Sequence, residues 1–114
     1  MGMASETPTG GKPRVLYHYT DAPEESFHKK GLWSESSVTD NPGLTAQEAV
    51  EQLGVKRLPD KIIPIIDNSH FRQNRPFIVE PHPLGPGGGT DFINRRLVPR
   101  SDILPAIPIR KSRS

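Results

Sequence analysis

Residues 83–94 read Pro-Leu-Gly-Pro-Gly-Gly-Gly-Thr-Asp-Phe-Ile-Asn, a glycine-rich run that leads into an apolar strand start. Glycine suits backbone that adopts a positive φ or lies close against a neighbour, and it costs conformational entropy. The run Gly87 to Gly89 therefore indicates a specific demand on the backbone. Two interpretations are open: a loop that presents the Asp91 carboxylate at the mouth of a cleft, on the first residue of a strand, or a flexible surface hairpin with a solvated aspartate.

The composition around this stretch indicates one small domain of loops and short strands. The chain has 114 residues, of which 32% are hydrophobic, with 10 glycines and 13 prolines. It contains no cysteine, which excludes disulfides and thiolate metal sites. No apolar run approaches the ~20 residues of a membrane-spanning helix. The net charge of +2 suits nucleic acid or an anionic cofactor without indicating either.

Composition also sets the expected domain boundaries. Residues 1–13 are rich in Gly, Ser, Thr and Pro without periodicity, which predicts an expression remnant and a disordered linker. Residues 14–110 are expected to form a single domain, and residues 111–114 a basic tail. The predicted fold class is α+β: a small β-rich domain with two short helices in its first half.

The first predicted strand runs from Arg14 to Thr20 and contains β-branched and aromatic residues. Its period-two alternation places Leu16, His18 and Thr20 on one face, and Val15, Tyr17 and Tyr19 on the other. A histidine and a threonine hydroxyl are therefore expected to point the same way from the end of a buried strand. The alternative is a capped strand end with a satisfied histidine.

Two capping boxes predict the helices. Asp21 and Glu24 are expected to open a short helix directly after the first strand. Thr45 and Glu48 form a second box, which opens an amphipathic helix that ends at Gly54. Between the helices, hydroxyl side chains cluster in a predicted loop.

Further strands are expected in the second half of the chain. Pro64 interrupts an apolar run at residues 61–66, so this segment is predicted to be an edge strand or a bulged one. The other predicted strands are residues 76–80, 91–94, 97–98 and 103–109.

One group of these residues has the chemistry to bind and cleave an adenine dinucleotide. His18, Thr20 and the hydroxyls of residues 34–39 offer hydrogen bonds to ribose hydroxyls and an amide. Cleavage of the nicotinamide–ribose bond develops positive charge on the sugar, which a carboxylate such as Asp91 would stabilise. No His-x3-His pair and no cluster of His and Asp has the helical spacing of metal ligands, so no metal is expected.

Short motifs carry a resemblance to a known family. The strand Leu-Tyr-His-Tyr-Thr at residues 16–20 precedes a short helix and Gly31-Leu32 before a serine-rich loop. Later, Gly-Gly-Gly-Thr-Asp-Phe at residues 87–92 leads into a strand. Together they resemble toxin domains of the ADP-ribosyltransferase fold, which has a split sheet. In that fold the first-strand histidine contacts the cofactor, and a carboxylate at the start of a late strand is catalytic.

The resemblance implies an NAD-dependent mono-ADP-ribosyltransferase or NAD glycohydrolase, with NAD as substrate. The implied catalytic residues are His18, Thr20 and Asp91, although Asp102 is a competing candidate for the acid. The implied cofactor-binding residues are His18, Tyr19, Thr20, Gly31, Ser34 and Ser37. Such domains are typically C-terminal modules of bacterial polymorphic toxins. The resemblance therefore also implies delivery into a target cell's cytoplasm, a macromolecular acceptor (protein or RNA) and a cognate immunity protein.

Two other functions remain open. A metal-independent ribonuclease needs a general base, a general acid and cations for the phosphate. His18 with His70 or His82 would supply the first two, and several lysines and arginines the third. The second alternative is a non-catalytic binding domain in which the glycine loop is only a hairpin.

Overall fold

The strand β1, Val15–Thr20, lies at the centre of the fold and pairs antiparallel with β3, Lys61–Ile66. The computed structural model describes residues 14–34, 36–67, 77–94 and 96–111. The predicted linker, residues 112–114 of the predicted basic tail and His70 therefore lie outside the described residues.

The remaining elements complete two small antiparallel sheets, one of β1 and β3, the other with β5 between β2 and β4. The mixed α+β class and the two helices in the first half are confirmed. The other elements are α1 (Glu24–Lys30), β2 (Ser37–Val38), α2 (Ala46–Leu53), β4 (Phe77–Ile78), β5 (Thr90–Ile93) and a short 3-10 helix (Arg100–Asp102).

The alternation predicted for β1 separates two hydrophobic clusters. Leu16 packs with Phe27 of α1 in one buried cluster, and that cluster also contains Phe92 of β5. Tyr19, on the opposite face, packs with Ala49 of α2 in the second cluster. We call these sides the α1 face and the α2 face of the strands. Each helix thus covers one face of β1, as expected for a strand buried on both sides.

In the described part of the chain, one backbone pair joins the two sheets. The Tyr17 amide donates to the Thr39 carbonyl and the Thr39 amide to the Tyr17 carbonyl, both at 2.8 Å. Thr39 directly follows β2, so this bridge places β1 beside β2 in antiparallel orientation. Residues 37–38, which the sequence predicted to lie in a loop of hydroxyl side chains, form a strand because their backbone pairs with β5.

The second capping box is confirmed and the first is wrong. The Thr45 hydroxyl accepts from the Glu48 amide, and the Glu48 carboxylate accepts from the Thr45 amide. Helix α1 instead begins after an extended Pro23, without a side-chain cap. The carboxylate of Asp21 lies 3.0 Å from Arg57 Nε and forms an ion pair there. Neither described helix is long and apolar enough to cross a bilayer.

The C-terminal residues were predicted to form strands, but in the described part they form isolated bridges. Ile103 and Ile107 pair with β3 along the edge that contains Pro64. Because the proline has no amide hydrogen, it only accepts there, from the Leu104 amide at 2.9 Å. As expected, β3 lies at the edge of its two-stranded sheet. It pairs with β1 on one side and forms only the isolated bridges to Ile103 and Ile107 on the other.

The side chain of Asn94, which directly follows β5, is fully buried and forms hydrogen bonds to the loop after α1. Its Oδ1 accepts from the Ser36 amide at 2.9 Å, while its Nδ2 donates to the carbonyls of Trp33 at 3.0 Å and Arg96 at 2.6 Å. One amide group thus satisfies three backbone groups from two loops.

We expect Asn94→Ala to lower the free energy of unfolding by roughly 2–4 kcal/mol, because these partners lose their hydrogen bonds in a buried site. Urea denaturation followed by circular dichroism would measure the change. The matched control is Gln47→Ala, which removes an exposed amide and should change stability by less than ~0.5 kcal/mol. A similar small loss for Asn94→Ala would contradict the role assigned to this side chain.

Candidate functional site

The imidazole of His18 lies where β1 and β2 separate. Its Nδ1 is 2.8 Å from the Ser37 carbonyl oxygen. Because a carbonyl only accepts, Nδ1 carries the proton and donates it, and in the neutral ring Nε2 then has a lone pair. The ring also meets Phe27 edge-on, with centroids 5.6 Å apart.

Burial keeps this ring neutral. Desolvation lowers the pKa of His18 below its ordinary value of 6.5, and the hydrogen bond to Ser37 opposes that shift only in part. At pH 7 the side chain therefore offers a hydrogen-bond acceptor at Nε2 and carries no charge.

Two clefts border this histidine, and Thr20 lines both of them together with His18. The first, of about 340 Å³, is lined by the aromatic residues Phe27 and Trp33 and also by Lys30. The second, of about 360 Å³, contains the charged residues Asp21, Lys56 and Arg57. We call the first the aromatic cleft and the second the charged cleft. His18 and Thr20 line both of them.

The hydroxyl of Thr20 is partly committed to the backbone. Its oxygen accepts from the Ala22 amide at 3.0 Å, which fixes the turn between β1 and α1. Its proton is still able to donate to a ligand, since the contact with Ala22 uses only an oxygen lone pair. His18 and Thr20 lie two residues apart in the continuous strand β1, which places them on one face as predicted.

The other residues predicted to bind the cofactor lie close by, but most have structural contacts. Tyr19 and Ser37 line the charged cleft, and the Tyr19 hydroxyl both donates to the Asn41 carbonyl and accepts from the Leu44 amide. Gly31 lines the aromatic cleft, and Ser34 lies in a shallow depression that shares Trp33 with that cleft.

Gly31 has a packing reason for being glycine. Its φ is +77°, and a Cβ there would lie 2.1 Å from the Val98 carbonyl oxygen. It follows the last residue of α1 with a ψ of −167°, which is outside the left-handed helical region common at helix ends.

Asp91 lines neither of the two clefts that contain His18. Phe92 pairs with Val38 and belongs to the cluster that contains Phe27, the residue that the His18 ring meets. Successive strand residues point to opposite faces, so Asp91 points away from that cluster. The described part of the chain therefore gives no positional support for a catalytic Asp91.

Asp91 is also buried, at 7% exposure, and neither of the two interpretations made from the sequence describes it. Desolvation raises its pKa to about 7, and a hydrogen bond from the Phe92 amide opposes that shift. The glycine run packs against the end of α2 instead of opening a cleft. The Gly87 amide donates to the Glu51 carbonyl at 2.9 Å and the Gly89 amide to the Gln52 carbonyl at 3.0 Å.

These contacts explain the glycines. The last carbonyls of a helix lack partners within it, and here they accept from the glycine loop. At Gly87, where φ is +73°, a Cβ would lie 2.3 Å from the Val79 carbonyl oxygen. The loop therefore serves close backbone packing.

The remaining histidines of the described chain are accounted for structurally. His82 Nε2 lies 3.0 Å from the Glu51 carbonyl oxygen and donates to it, while Nδ1 accepts from the Leu84 amide at 3.2 Å. Both ring nitrogens are occupied, so the ribonuclease role predicted for His82 has no support here. His28 pairs with Glu24 at 2.9 Å on α1. Asp102, the competing acid, lies in the 3-10 helix.

Sequence reasoning missed the charged residues of the cleft. From the sequence, Asp21 was expected to cap a helix, and no role was predicted for Lys56 or Arg57. A detectable signal was the pair of consecutive cations that follows the predicted end of a helix. Among the described residues, no group of three or more His, Asp or Glu side chains is arranged to hold a metal ion.

We expect NMR titration to give His18 a pKa below 6.5, with the neutral ring protonated on Nδ1, since burial disfavours the charged form. Long-range ¹H–¹⁵N spectra of the imidazole would measure both. A ring protonated on Nε2, or a pKa above 6.5, would contradict the geometry described.

Asp91 generates a prediction on pH dependence. Its pKa is about 7 in the folded chain against an ordinary 3.8, so the protonated form is favoured by folding. This contribution is complete below pH 3.8 and is lost as the pH rises through 7. The difference in unfolding free energy between Asp91→Asn and the native sequence should therefore shift in favour of the variant from pH 5 to pH 8, because asparagine does not ionise. Denaturation of both proteins at each pH measures this, and a difference that does not change with pH would refute it.

Compared with known proteins, the sequence matches no family model, no curated protein and no solved structure.

Proposed function

We propose that this chain is an NAD-consuming toxin domain, a mono-ADP-ribosyltransferase or NAD glycohydrolase, that binds NAD across the two clefts. The observation that carries the proposal is that His18 and Thr20 line both clefts. A dinucleotide has flat bases, ribose hydroxyls and a pyrophosphate, which differ in the surroundings they need. An aromatic cleft next to a charged one, with polar side chains between them, suits that sequence of groups.

Each cleft has a role in this proposal. Phe27 and the exposed Trp33, at 67% exposure, give aromatic surface for the nicotinamide ring. The neutral His18 accepts a hydrogen bond at Nε2 from a ribose hydroxyl or the carboxamide. Thr20 donates its hydroxyl proton. These contacts orient the ribose so that the bond to nicotinamide is exposed to attack.

The reaction breaks the C–N bond between ribose and nicotinamide. Nicotinamide leaves with the bonding electron pair, and the oxygen of water, or a nucleophile of the acceptor, forms a new bond to the same ribose carbon and loses a proton. A carboxylate near that carbon stabilises the positive charge that develops. Asp21 lines the cleft that contains His18, and its 3.0 Å contact with Arg57 holds it in position. We therefore assign this role to Asp21 in place of Asp91.

We expect His18→Ala to lower the rate of NAD consumption by about a hundredfold or more, because the ribose loses its orientation. Release of nicotinamide from labelled NAD, separated by chromatography, measures the rate. The matched control is His28→Ala, which removes a histidine from α1 that lines neither cleft and should retain activity. Circular dichroism of both variants would show that loss of activity is not loss of fold.

A second pair of variants tests the carboxylate. Asp21→Asn should lower NAD consumption strongly, whereas Asp91→Asn should leave it within a few-fold of the native rate, since Asp91 lines neither cleft. The opposite result would restore the role that the resemblance implied for Asp91 and would refute the assignment of Asp21.

The charged cleft also favours a second candidate, a ribonuclease. His18 lies with Lys56 and Arg57 in one cleft, an arrangement that suits a phosphodiester beside a neutral base. Incubation with total RNA, in parallel with NAD, distinguishes the two. Cleavage of RNA without consumption of NAD would replace the leading proposal, and activity on neither would favour a binding domain.

The toxin setting, the delivery into a target cell and the cognate immunity protein remain proposals that rest on the resemblance of residues 16–20 and 87–92. Expression inside bacteria would test them, because a toxin of this class should deplete NAD and slow growth, and His18→Ala should relieve both effects.

A further inference from the structure

We propose that Lys56 and Arg57 form a phosphate-binding subsite of the charged cleft, so that the substrate must carry a phosphate or diphosphate group. This inference rests on the proposed function, since it names the part of the nucleotide that the charged cleft would hold. It adds the requirement that the substrate carries a phosphate. The aromatic cleft alone does not impose this requirement, because it could also bind a nucleoside without phosphate.

The backbone segment that carries both cations is anchored at its two ends and lies beside His18. Helix α2 ends at Gly54, whose amide donates to the Val50 carbonyl. Val55 then packs against the cluster on the α2 face. On the far side of the two cations, the Asp60 amide donates to the Thr20 carbonyl at 3.1 Å. The segment that carries the cations is thus anchored before and after them, and one anchor is Thr20 itself.

Arg57 retains donors for an anion. Its Nε lies 3.0 Å from the Asp21 carboxylate, while its side chain is 80% exposed. A guanidinium has five N–H donors in a fixed fork, so a contact through Nε leaves the terminal nitrogens for phosphate oxygens. Asp21 therefore orients the guanidinium without using all of its donors.

Lys56 supplies the second charge. Within the described ranges it forms no salt bridge, unlike Lys61, which contacts both Asp60 and the Ala22 carbonyl. Two cations against the single carboxylate of Asp21 leave the charged cleft with a net positive charge. Phosphate oxygens are the ligands that such a pair of cations binds best next to a ribose site.

The experiment compares three probes on the full chain: ADP, adenosine and inorganic pyrophosphate. We expect calorimetry to show that ADP binds at least tenfold more tightly than adenosine. Pyrophosphate alone should shift the amide NMR signals of residues 18–21 and 54–57. Raising the salt concentration should weaken the binding of ADP and leave that of adenosine nearly unchanged, because only ADP is held by charge.

Variants assign the effect to the two cations. Lys56→Ala and Arg57→Ala should each reduce the preference for ADP, and the double variant should abolish it while binding adenosine normally. The matched control is Lys29→Ala, an exposed lysine on α1 that lines neither cleft and should retain the full preference. Equal binding of ADP and adenosine by the native chain, or a preference that survives the double variant, would overturn the subsite.

The outcomes separate this inference from the proposed function. If the native chain consumes nicotinamide riboside as fast as NAD, the subsite is refuted while the NAD-consuming activity stands. If pyrophosphate shifts the signals around Lys56 and Arg57 but NAD is not consumed, the subsite is supported and the proposed reaction is refuted.

Discussion

The bond from the His18 imidazole to the Ser37 carbonyl, next to the backbone pair of Tyr17 and Thr39, determines how the two sheets meet. In a continuing antiparallel ladder, the Ser37 carbonyl would accept from the amide of Tyr19. Here it accepts from a side chain instead, at 2.8 Å. The imidazole thus takes the place of the next backbone pair of the ladder, and His18 lines both clefts at this point. The end of the backbone pairing and the candidate site therefore coincide at one side chain.

The same bond sets the chemical state of His18. A donor to a carbonyl must carry its proton on Nδ1, and burial against Phe27 disfavours the imidazolium. The result is a neutral ring with an acceptor at Nε2, held in one orientation by the fold. A group with this character is suited to orient a hydroxyl or to accept its proton, which is why both functions considered above depend on it. The fold and the candidate chemistry are therefore linked through one side chain.

The glycine run and Asn94 perform the complementary task of fixing the surroundings. Both supply hydrogen bonds to backbone groups that other elements leave unpaired: the last carbonyls of α2 in one case, and the loop after α1 in the other. Asp91 lies between them on β5 and is buried. A buried carboxyl in that position makes the stability of the fold depend on pH. It lies outside the two clefts, which are at the end of β1. The part of the sequence that looked most functional is thus largely structural.

The sequence by itself determined the features that depend on neighbours along the chain. Alternation along β1, the capping box of Thr45 and Glu48, the mixed class and the common face of His18 and Thr20 all follow from local stereochemistry. Only the tertiary structure decided which residues meet across the chain. The side of the sheet to which Asp91 points depends on the register between β2 and β5. The ion pair of Asp21 with Arg57 joins residues that are 36 positions apart in the sequence. A shift of one residue in a strand register exchanges the two faces, so local patterns predicted which side chains share a strand face but not which of them form the site.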